Sequence, residues 1–308
     1  MEHLVRQGAE VRAFCHYNSR NDRGTMDWLG PEVTGDVEVV FGDLRDSESV
    51  GGAVRGTEVV FHLGALIAIP YSYVNARAYF EVNVLGTLNV AQASLDHAVG
   101  RMVHTSTSEV YGTAQTVPIN ERHPLEAQSP YAASKIGADK LVDSFHRSHG
   151  LPGVVLRPFN TYGPRQSARA VIPTIITQAL AGSTLRLGSL DPRRDLTFAQ
   201  DTAAGFVAAA QCDAAIGRTI QLGTGEAVSI GEIVDLVGDI LGRELEVQTD
   251  EQRVRPAASE VQLLLSDPSL AREVTGWEPQ VGLRDGLSQT IAWIEANRDR
   301  FRTGEYVT

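Results

Sequence analysis

The chain has 308 residues, of which 43% are hydrophobic and 21% are charged, so it can bury one large core or two modest ones. Its formal net charge of -11 argues against non-specific nucleic-acid binding, because no overall basic field attracts phosphates. Cys15 and Cys212 form no C-x-x-C pair and the histidines lack metal-ligand spacing, so we expect no metal site. Neither a membrane span of ~18 apolar residues nor a signal peptide is recognised. We therefore expect a cytoplasmic enzyme that binds neither nucleic acid nor membrane.

The first half of the chain alternates short apolar segments with helical ones. The opening stretch "MEHLVRQGAEVRAF" indicates the end of a helix, a stop at Gly8 and then a strand. Strands are predicted at residues 11–16, 37–41, 58–63, 101–106 and 153–157. Apolar strands separated by helices predict an α/β fold with a doubly wound parallel sheet, and residues 1–160 are interpreted as a dinucleotide-binding domain.

The second half is less regular. Helices are predicted at residues 171–181, 230–241 and 283–298, and strand-like pieces such as "RTIQLG" and "ELEVQT" lie among them. We interpret residues 161–308 mainly as a smaller, substrate-binding lobe that packs against the first domain.

The stretch "SPYAASK" places Tyr131 and Lys135 four residues apart, on one face of a predicted helix. A nearby ammonium favours the phenolate, so Lys135 is expected to lower the pKa of Tyr131 and make it a general base. The spacing also arises by chance, and a half-buried tyrosine beside a solvated lysine is the alternative reading.

Polar residues also follow the predicted strand at 101–106. Thr105, Thr107, Ser108 and Glu109 stand at its carboxyl end, where ligands of parallel sheets bind. A turn-capping role explains the hydroxyl residues but leaves Glu109 unexplained. His62 and His104 lie in or beside strands, and we predict that they are buried structural histidines.

Several further motifs resemble the extended short-chain dehydrogenase/reductase family of nucleotide-sugar epimerases and dehydratases, across almost the whole chain. They are "GDLRD", "FHLGA", "VNVLGTLNV", "RPFNTYGPRQ", "RRDLTFAQD" and "RVRPAASEV". The resemblance implies a Rossmann-like fold, a nucleotide-sugar substrate, and a homodimer formed through the helices that hold Asn83 and Tyr131. It implies cofactor contacts at Asp43, Leu44, Leu63, Gly64, Ala65, Thr105, Tyr131 and Lys135. It implies substrate contacts at Asn160, Arg194 and Arg255.

The resemblance also bears on the cofactor and on the start of the chain. The close relatives favour NAD, although no acidic residue ends the strand at 11–16, and Arg20 or Arg23 could accept the extra phosphate of NADP. The family's G-x-x-G-x-x-G turn, which holds the cofactor pyrophosphate, is not found before Gly8. We therefore expect that the sequence begins at an internal Met of a longer enzyme, with the first strand and turn preceding it. The alternative is a shortened, non-catalytic nucleotide-sugar-binding protein.

Glu109 favours one reaction within the family. A 4,6-dehydratase oxidises C4, uses a second base to take the C5 proton as water leaves from C6, and returns the hydride to C6. By resemblance to GDP-mannose 4,6-dehydratases, Thr107 holds the C4 oxygen, Tyr131 takes its proton and Glu109 is the second base. Ser108 replaces the aspartic acid of the thymidine-linked enzymes, so Ser108, Glu109 or water is left as the acid. A 4-epimerase and a UDP-glucuronate decarboxylase remain alternatives, while similarity to dehydratases of legionaminic-type pathways favours dehydration.

Overall fold

The structure is a computed structural model that describes residues 1–253 and 259–301. Its strands are β1 (Val11–His16), β2 (Val37–Gly42), β3 (Val59–His62), β4 (Arg101–Thr105), β5 (Gly153–Pro158), β6 (Asn160–Tyr162), β7 (Thr184–Leu187), β8 (Arg193–Phe198), β9 (Thr219–Leu222), β10 (Ala227–Ser229), β11 (Glu246–Thr249) and β12 (Leu263–Leu264). Its α-helices are α1 (Glu2–Arg6), α2 (Pro31–Thr34), α3 (Ser47–Val54), α4 (Ile69–Val74), α5 (Ala76–Tyr79), α6 (Gly86–Asp96), α7 (Pro130–His149), α8 (Val171–Ala181), α9 (Ala199–Gln211), α10 (Ile230–Leu241), α11 (Ser269–Thr275) and α12 (Leu283–Ala296).

Parallel pairing dominates the first half of the chain, as the sequence predicted. The four strands β3, β4, β5 and β9 form one parallel sheet in the order β3-β4-β5-β9, and β1 and β2 form a separate parallel pair. Among the described residues β1 and β3 share no ladder, but Phe14 of β1 and Val60 of β3 pack against one apolar cluster. The two sheets therefore share a core.

Helices cover both faces of the four-stranded sheet, which makes the fold doubly wound. Successive residues of a strand point to opposite faces, and β4 shows the result. Met102 packs with Val90 of α6 in one buried cluster, while Val103 packs with Phe206 of α9 in another. The α/β, Rossmann-like class predicted from the sequence is confirmed.

The chain beyond residue 160 forms a second lobe and also adds a strand and a helix to the first one. Strands β6, β8, β10 and β12 form a second sheet, and β7 pairs with β11. A third core lies between α8, α10 and α12, around Ile175, Ile233 and Ile291. However, β9, the predicted "RTIQLG" strand, pairs in parallel with β5 in the larger sheet, and α9 covers that sheet.

Asp195 of β8 anchors this second lobe, and sequence reasoning missed it. Its fully buried carboxylate accepts hydrogen bonds from the backbone N–H groups of Thr224, Gly225 and Ser266, at 2.8, 3.0 and 3.2 Å. The hydroxyls of Thr224 and Ser266 donate to the same carboxylate. Asp195 thus satisfies a turn and a strand end that lie far away in sequence.

Local features follow the sequence closely, with two differences. Helix α1 ends just before Gly8, which has φ +81 as a helix stop requires. Helix α12 ends at Ala296 rather than at residue 298, because Asn297 leaves the helical conformation with φ -129 and ψ 34. A π-helical segment, Phe80–Leu85, joins α5 to α6 and was not predicted. Within residues 1–253 and 259–301, no helix is long and apolar enough to cross a membrane.

Candidate active site

Partly exposed and buried residues alternate at the end of β4 and in the segment that follows it. Thr105, Thr107 and Glu109 are partly exposed, whereas Ser106 and Ser108 are buried, Ser108 with 2% of its surface exposed. Thr107 has extended backbone and begins a short 3-10 helix, Ser108–Tyr111, in which its hydroxyl oxygen accepts the Glu109 N–H at 3.2 Å. Thr107 therefore caps a turn and still holds Glu109 at the strand end. Burial disfavours Ser108 as a group that contacts substrate.

Helix α7 carries the predicted tyrosine and lysine. Ser129 caps its first turn by accepting the Ala132 N–H at 3.1 Å, and Pro130 occupies the first helical position, where no N–H is needed. Tyr131 and Lys135 follow on one helical face and are 8% and 3% exposed. The solvated-lysine alternative does not hold.

The expectation that Lys135 lowers the pKa of Tyr131 is wrong for this structure. Burial raises the pKa of Tyr131 well above its ordinary value, and the negative charge of Glu109 adds to the increase. The Thr107 side chain acts in the opposite direction. Lys135 is not among the groups that chiefly set the phenol's pKa, and its ammonium donates to the carbonyl oxygen of Thr105 at 2.5 Å. The phenol is therefore protonated at neutral pH, and Thr107 is the neighbour that favours its ionised form.

Lys135 is itself perturbed. Burial lowers the pKa of its amino group to about 8, and the Asp139 carboxylate, one turn further along α7, opposes the decrease. A buried lysine with this pKa changes charge near physiological pH.

A neighbouring aromatic residue, Tyr79, fixes the surroundings of Tyr131. The two rings meet edge to face, with centroids 6.2 Å apart and an interplanar angle of 80°. The Tyr79 hydroxyl donates to the carbonyl oxygen of Ala68, and its side chain is fully buried. Sequence reasoning missed Tyr79, because only the fold brings α5 against α7.

Two asparagines fix the loops that follow β2 and β3. Asn83 accepts the Leu66 N–H at 2.8 Å, and its amide donates to the Leu66 carbonyl at 2.9 Å and to Ser134 of α7 at 2.9 Å. Asn89 donates to the Leu44 carbonyl at 2.8 Å. The predicted cofactor residues on these two loops thus have a rigid frame, and Asn89 was not identified from the sequence.

These two loops and the end of β4 are shaped for a bound group. Leu63 is 60% exposed at the end of β3, and a side chain on Gly64 would come within 2.7 Å of Leu44, so Gly64 allows the loops to approach closely. The buried Thr105 hydroxyl has no hydrogen-bond partner among the residues that the structure describes. Asp43 is ionised, because hydrogen bonds from Arg45 lower its pKa to about 2.

The predicted substrate residues lie in the second lobe. Asn160 begins β6, and its buried Oδ1 has no hydrogen-bond partner among the described residues. This suits a residue that binds a ligand. Arg194 of β8 is buried and forms a 3.0 Å ion pair with Glu260, so an incoming phosphate must compete with that carboxylate. Arg255 lies outside the described residues. The roles of all these residues remain predictions.

Comparison with known proteins identifies the family of the chain. Residues 1–290 match the GDP-mannose 4,6-dehydratase family. The chain therefore belongs to that family, within the extended short-chain dehydrogenase/reductases that comprise nucleotide-sugar dehydratases and epimerases. The resemblance inferred from the sequence is confirmed.

Individual relatives carry both reaction types. A dTDP-glucose 4,6-dehydratase of Actinoplanes sp. is 32% identical over 263 residues, which cover 84% of this chain and 80% of the relative. A UDP-glucose 4-epimerase of Mycolicibacterium smegmatis is 32% identical over 264 residues, which cover 83% and 82%. The crystal structure of a dTDP-glucose 4,6-dehydratase from Streptomyces venezuelae with NAD bound superposes with a TM-score of 0.86 at 28% identity, and the match covers 98% of this chain and 95% of that one.

Proposed function

We propose that this chain is an NAD-dependent nucleotide-sugar 4,6-dehydratase that forms a 4-keto-6-deoxy sugar. The observation that carries the proposal is the placement of Glu109. This carboxylate sits at the carboxyl end of β4, next to Thr107, and close enough to Tyr131 for its charge to raise the phenol's pKa. Elimination of water requires a second base beside the tyrosine, whereas simple oxidation and reduction at C4 do not.

NAD is the cofactor that the site suits best. When bound, NAD supplies the oxidising power at C4 of the sugar. The loops at Asp43–Leu44 and Leu63–Ala65 would hold it, with the unpaired Thr105 hydroxyl and Lys135 close to its reactive end. NADP is disfavoured, because Arg23 already donates to Asp27 at 2.6 Å and Arg20 lies 3.6 Å from Asp22. NAD is also the cofactor named for the Streptomyces structure.

The chain's own groups divide the proton transfers between them. Tyr131 first releases its own phenol proton to solvent, a loss that Thr107 favours because it lowers the phenol's pKa. The resulting phenolate accepts the proton of the C4 hydroxyl, while Thr107 hydrogen-bonds the C4 oxygen. The resulting C4 ketone acidifies the C5 proton, and Glu109 removes it as the C6 hydroxyl leaves. Because Ser108 is buried, Glu109 can pass this proton to the departing hydroxyl, which leaves as water. The hydride taken from C4 then returns to C6, and Glu109 takes a proton from solvent and delivers it to C5.

A 4-epimerase is the second candidate. Because Ser108 is buried, a dehydratase would have to use Glu109 as both the base and the acid of the elimination. Epimerisation needs no acid for a leaving group, so the burial of Ser108 favours the epimerase. The epimerase from Mycolicibacterium is as similar to this chain as the Actinoplanes dehydratase.

Product mass separates the candidates. Purified protein is incubated with NAD and with GDP-, UDP- and dTDP-linked hexoses and N-acetylhexosamines, and with UDP-glucuronate, and the products are analysed by mass spectrometry. We expect one donor to lose one water. A product of unchanged mass with a new C4 configuration supports the epimerase, and loss of carbon dioxide from the glucuronate supports the decarboxylase.

We further propose that the chain forms a homodimer through the face shared by α5 and the π-helical segment. Phe80 and Leu85 are 45% and 51% exposed there, and they line a groove together with Ala76, Arg77, Glu81 and Val84. An exposed apolar surface of this kind is typical of a protein–protein interface. The opposite side of the same segment holds Asn83 and contacts α7, so dimerisation would stiffen the helix that carries Tyr131.

Replacing Leu85→Arg tests the interface. A charge in a buried apolar contact is costly, so we expect the mass measured by light scattering to fall from that of a dimer to that of a monomer. Val171→Arg is the matched control, because Val171 is an exposed apolar residue of α8 outside this groove. A monomeric wild type, or a variant that stays dimeric, contradicts this interface.

A further inference from the structure

A cluster of buried polar side chains lies next to the carboxyl end of β4. Lys135 and Asp139 project into it from α7, and both are almost fully buried. His104 of β4 and Arg157 of β5 complete it, and Arg157 is buried as well. The sequence analysis identified Lys135 as a functional residue and His104 as a structural one, but it identified neither Asp139 nor Arg157.

The hydrogen bonds of the cluster are unevenly shared between the two oxygens of Asp139. Oδ2 accepts all the bonds, from Nε and Nη2 of Arg157 at 3.0 Å each and from the Ser106 hydroxyl at 2.8 Å. Oδ1 has no hydrogen-bond partner and lies 3.3 Å from Nε2 of His104. Arg157 therefore holds the carboxylate in place without occupying both of its oxygens.

His104 contributes no charge of its own. Burial lowers its pKa, the positive charge of Lys135 lowers it further, and Asp139 only partly offsets both effects. His62, whose ring centroid lies 5.5 Å from that of His104, has its pKa lowered by burial, by His104 and by Lys135. Both histidines are neutral at pH 7, so the one anion of this cluster is Asp139.

We propose that Asp139 is a positioning residue that keeps Lys135 in its ammonium form, so that a positive charge is held one helical turn from Tyr131. Lys135 has lost most of its contact with water, and its ammonium donates to the Thr105 carbonyl. A buried cation needs a nearby opposite charge to remain ionised. Asp139 supplies that charge one helical turn away.

Other titratable groups face this part of α7 from several elements, but none replaces Asp139. Glu109 lies at the open side, where it acts on Tyr131. Tyr79 also acts on Tyr131, and Tyr111 donates away from Lys135, to Gln221 at 3.1 Å. The titratable groups that act on Lys135 or feel its charge are Asp139 of α7, His62 of β3 and His104 of β4, and Arg157 of β5 contacts Asp139.

The chain offers a direct test, because Lys135 and Lys140 are its only lysines. Protein grown with lysine labelled with ¹³C at the ε position gives two NMR signals, and Lys140→Arg assigns them. Lys140 is exposed and serves as the internal reference. We expect Lys135 in the wild type to hold its proton at pH 7 and to lose it near pH 8, the value that burial and Asp139 together set.

Asp139→Asn removes the anion, so the neutral amine is favoured and Lys135 should titrate at least about one pH unit lower. Ser106→Ala is the matched control, because it removes a bond to the same Oδ2 and leaves the charge, so the titration of Lys135 should not move. Asp139→Glu keeps the charge and should titrate close to the wild type.

Asp139→Asn leaves Arg157 buried without its partner, which is strongly destabilising and can prevent folding. The double variant Asp139→Asn/Arg157→Gln replaces the ion pair with a neutral pair of similar size, and a shift in the same direction is expected, because Asp139 is the charge that raises the pKa of Lys135. Unchanged titration in the variants overturns the proposal, and so does a wild-type Lys135 that is neutral at pH 7.

The consequence for catalysis rests on the proposed function, whereas the NMR titration does not. If the chain is an NAD-dependent dehydratase, the alkaline limb of its rate–pH profile should move down with the titration of Lys135 in Asp139→Asn and remain in place in Ser106→Ala. A shifted titration without turnover on any nucleotide sugar would contradict the proposed function and leave the role of Asp139 standing.

Discussion

Glu109→Gln should abolish the elimination of water while leaving oxidation at C4 intact. The amide cannot accept the C5 proton, and loss of a general base typically costs about 10²–10⁴-fold in rate. Because Tyr131 and Thr107 are unchanged, we expect the reduced form of the cofactor to build up on the protein. The measurement is a single-turnover mixing experiment that follows nicotinamide absorbance together with product mass.

Glu126→Gln is the control for this charge change. Glu126 is an exposed carboxylate whose backbone N–H donates to the Val110 carbonyl of the same 3-10 helix, and its side chain accepts from Gln115. Its variant should form product at the wild-type rate. Normal product from Glu109→Gln would remove the argument for dehydration.

Tyr131→Phe should block the reaction one step earlier. Without the phenol no group is placed to take the C4 hydroxyl proton, so both product and reduced cofactor should fall by about 10²–10⁴-fold. Circular dichroism and a nucleotide-sugar binding titration establish that the variant is folded and still binds its substrate.

Tyr79→Phe is matched to this variant, since Tyr79 is a second buried tyrosine in contact with the first. It loses the hydrogen bond to Ala68 but keeps the ring that packs against Tyr131. We expect some loss of thermal stability and near-normal turnover. Equal loss of activity in the two variants would show that Tyr131 acts through packing rather than through its proton.

The parts of the fold that follow from local pattern could be predicted. The five predicted strands appear as β1 to β5, because apolar runs of this length between turn residues have few alternatives. Helix α7 brings Tyr131 and Lys135 to one face, because a spacing of four fixes that geometry on any helix.

The properties of the site that depend on burial could not be predicted. The sequence shows that Lys135 stands one turn from Tyr131, but not that its ammonium turns to the Thr105 carbonyl or that burial dominates the pKa of the phenol. Asp139 and Asp195 carry no local signal, because their partners lie on strands and turns that only the fold brings together. In the same way, β9 reads as part of the second lobe until its pairing with β5 is seen.

The central claim is that a base in this chain removes the C5 proton during loss of water. The most direct measurement is the product mass after reaction of the wild type with NAD and the accepted nucleotide sugar in ²H₂O. The account predicts a product that has lost one water and carries one solvent-derived deuterium at C5. A product that keeps the mass of the substrate and carries no carbon-bound deuterium would contradict it.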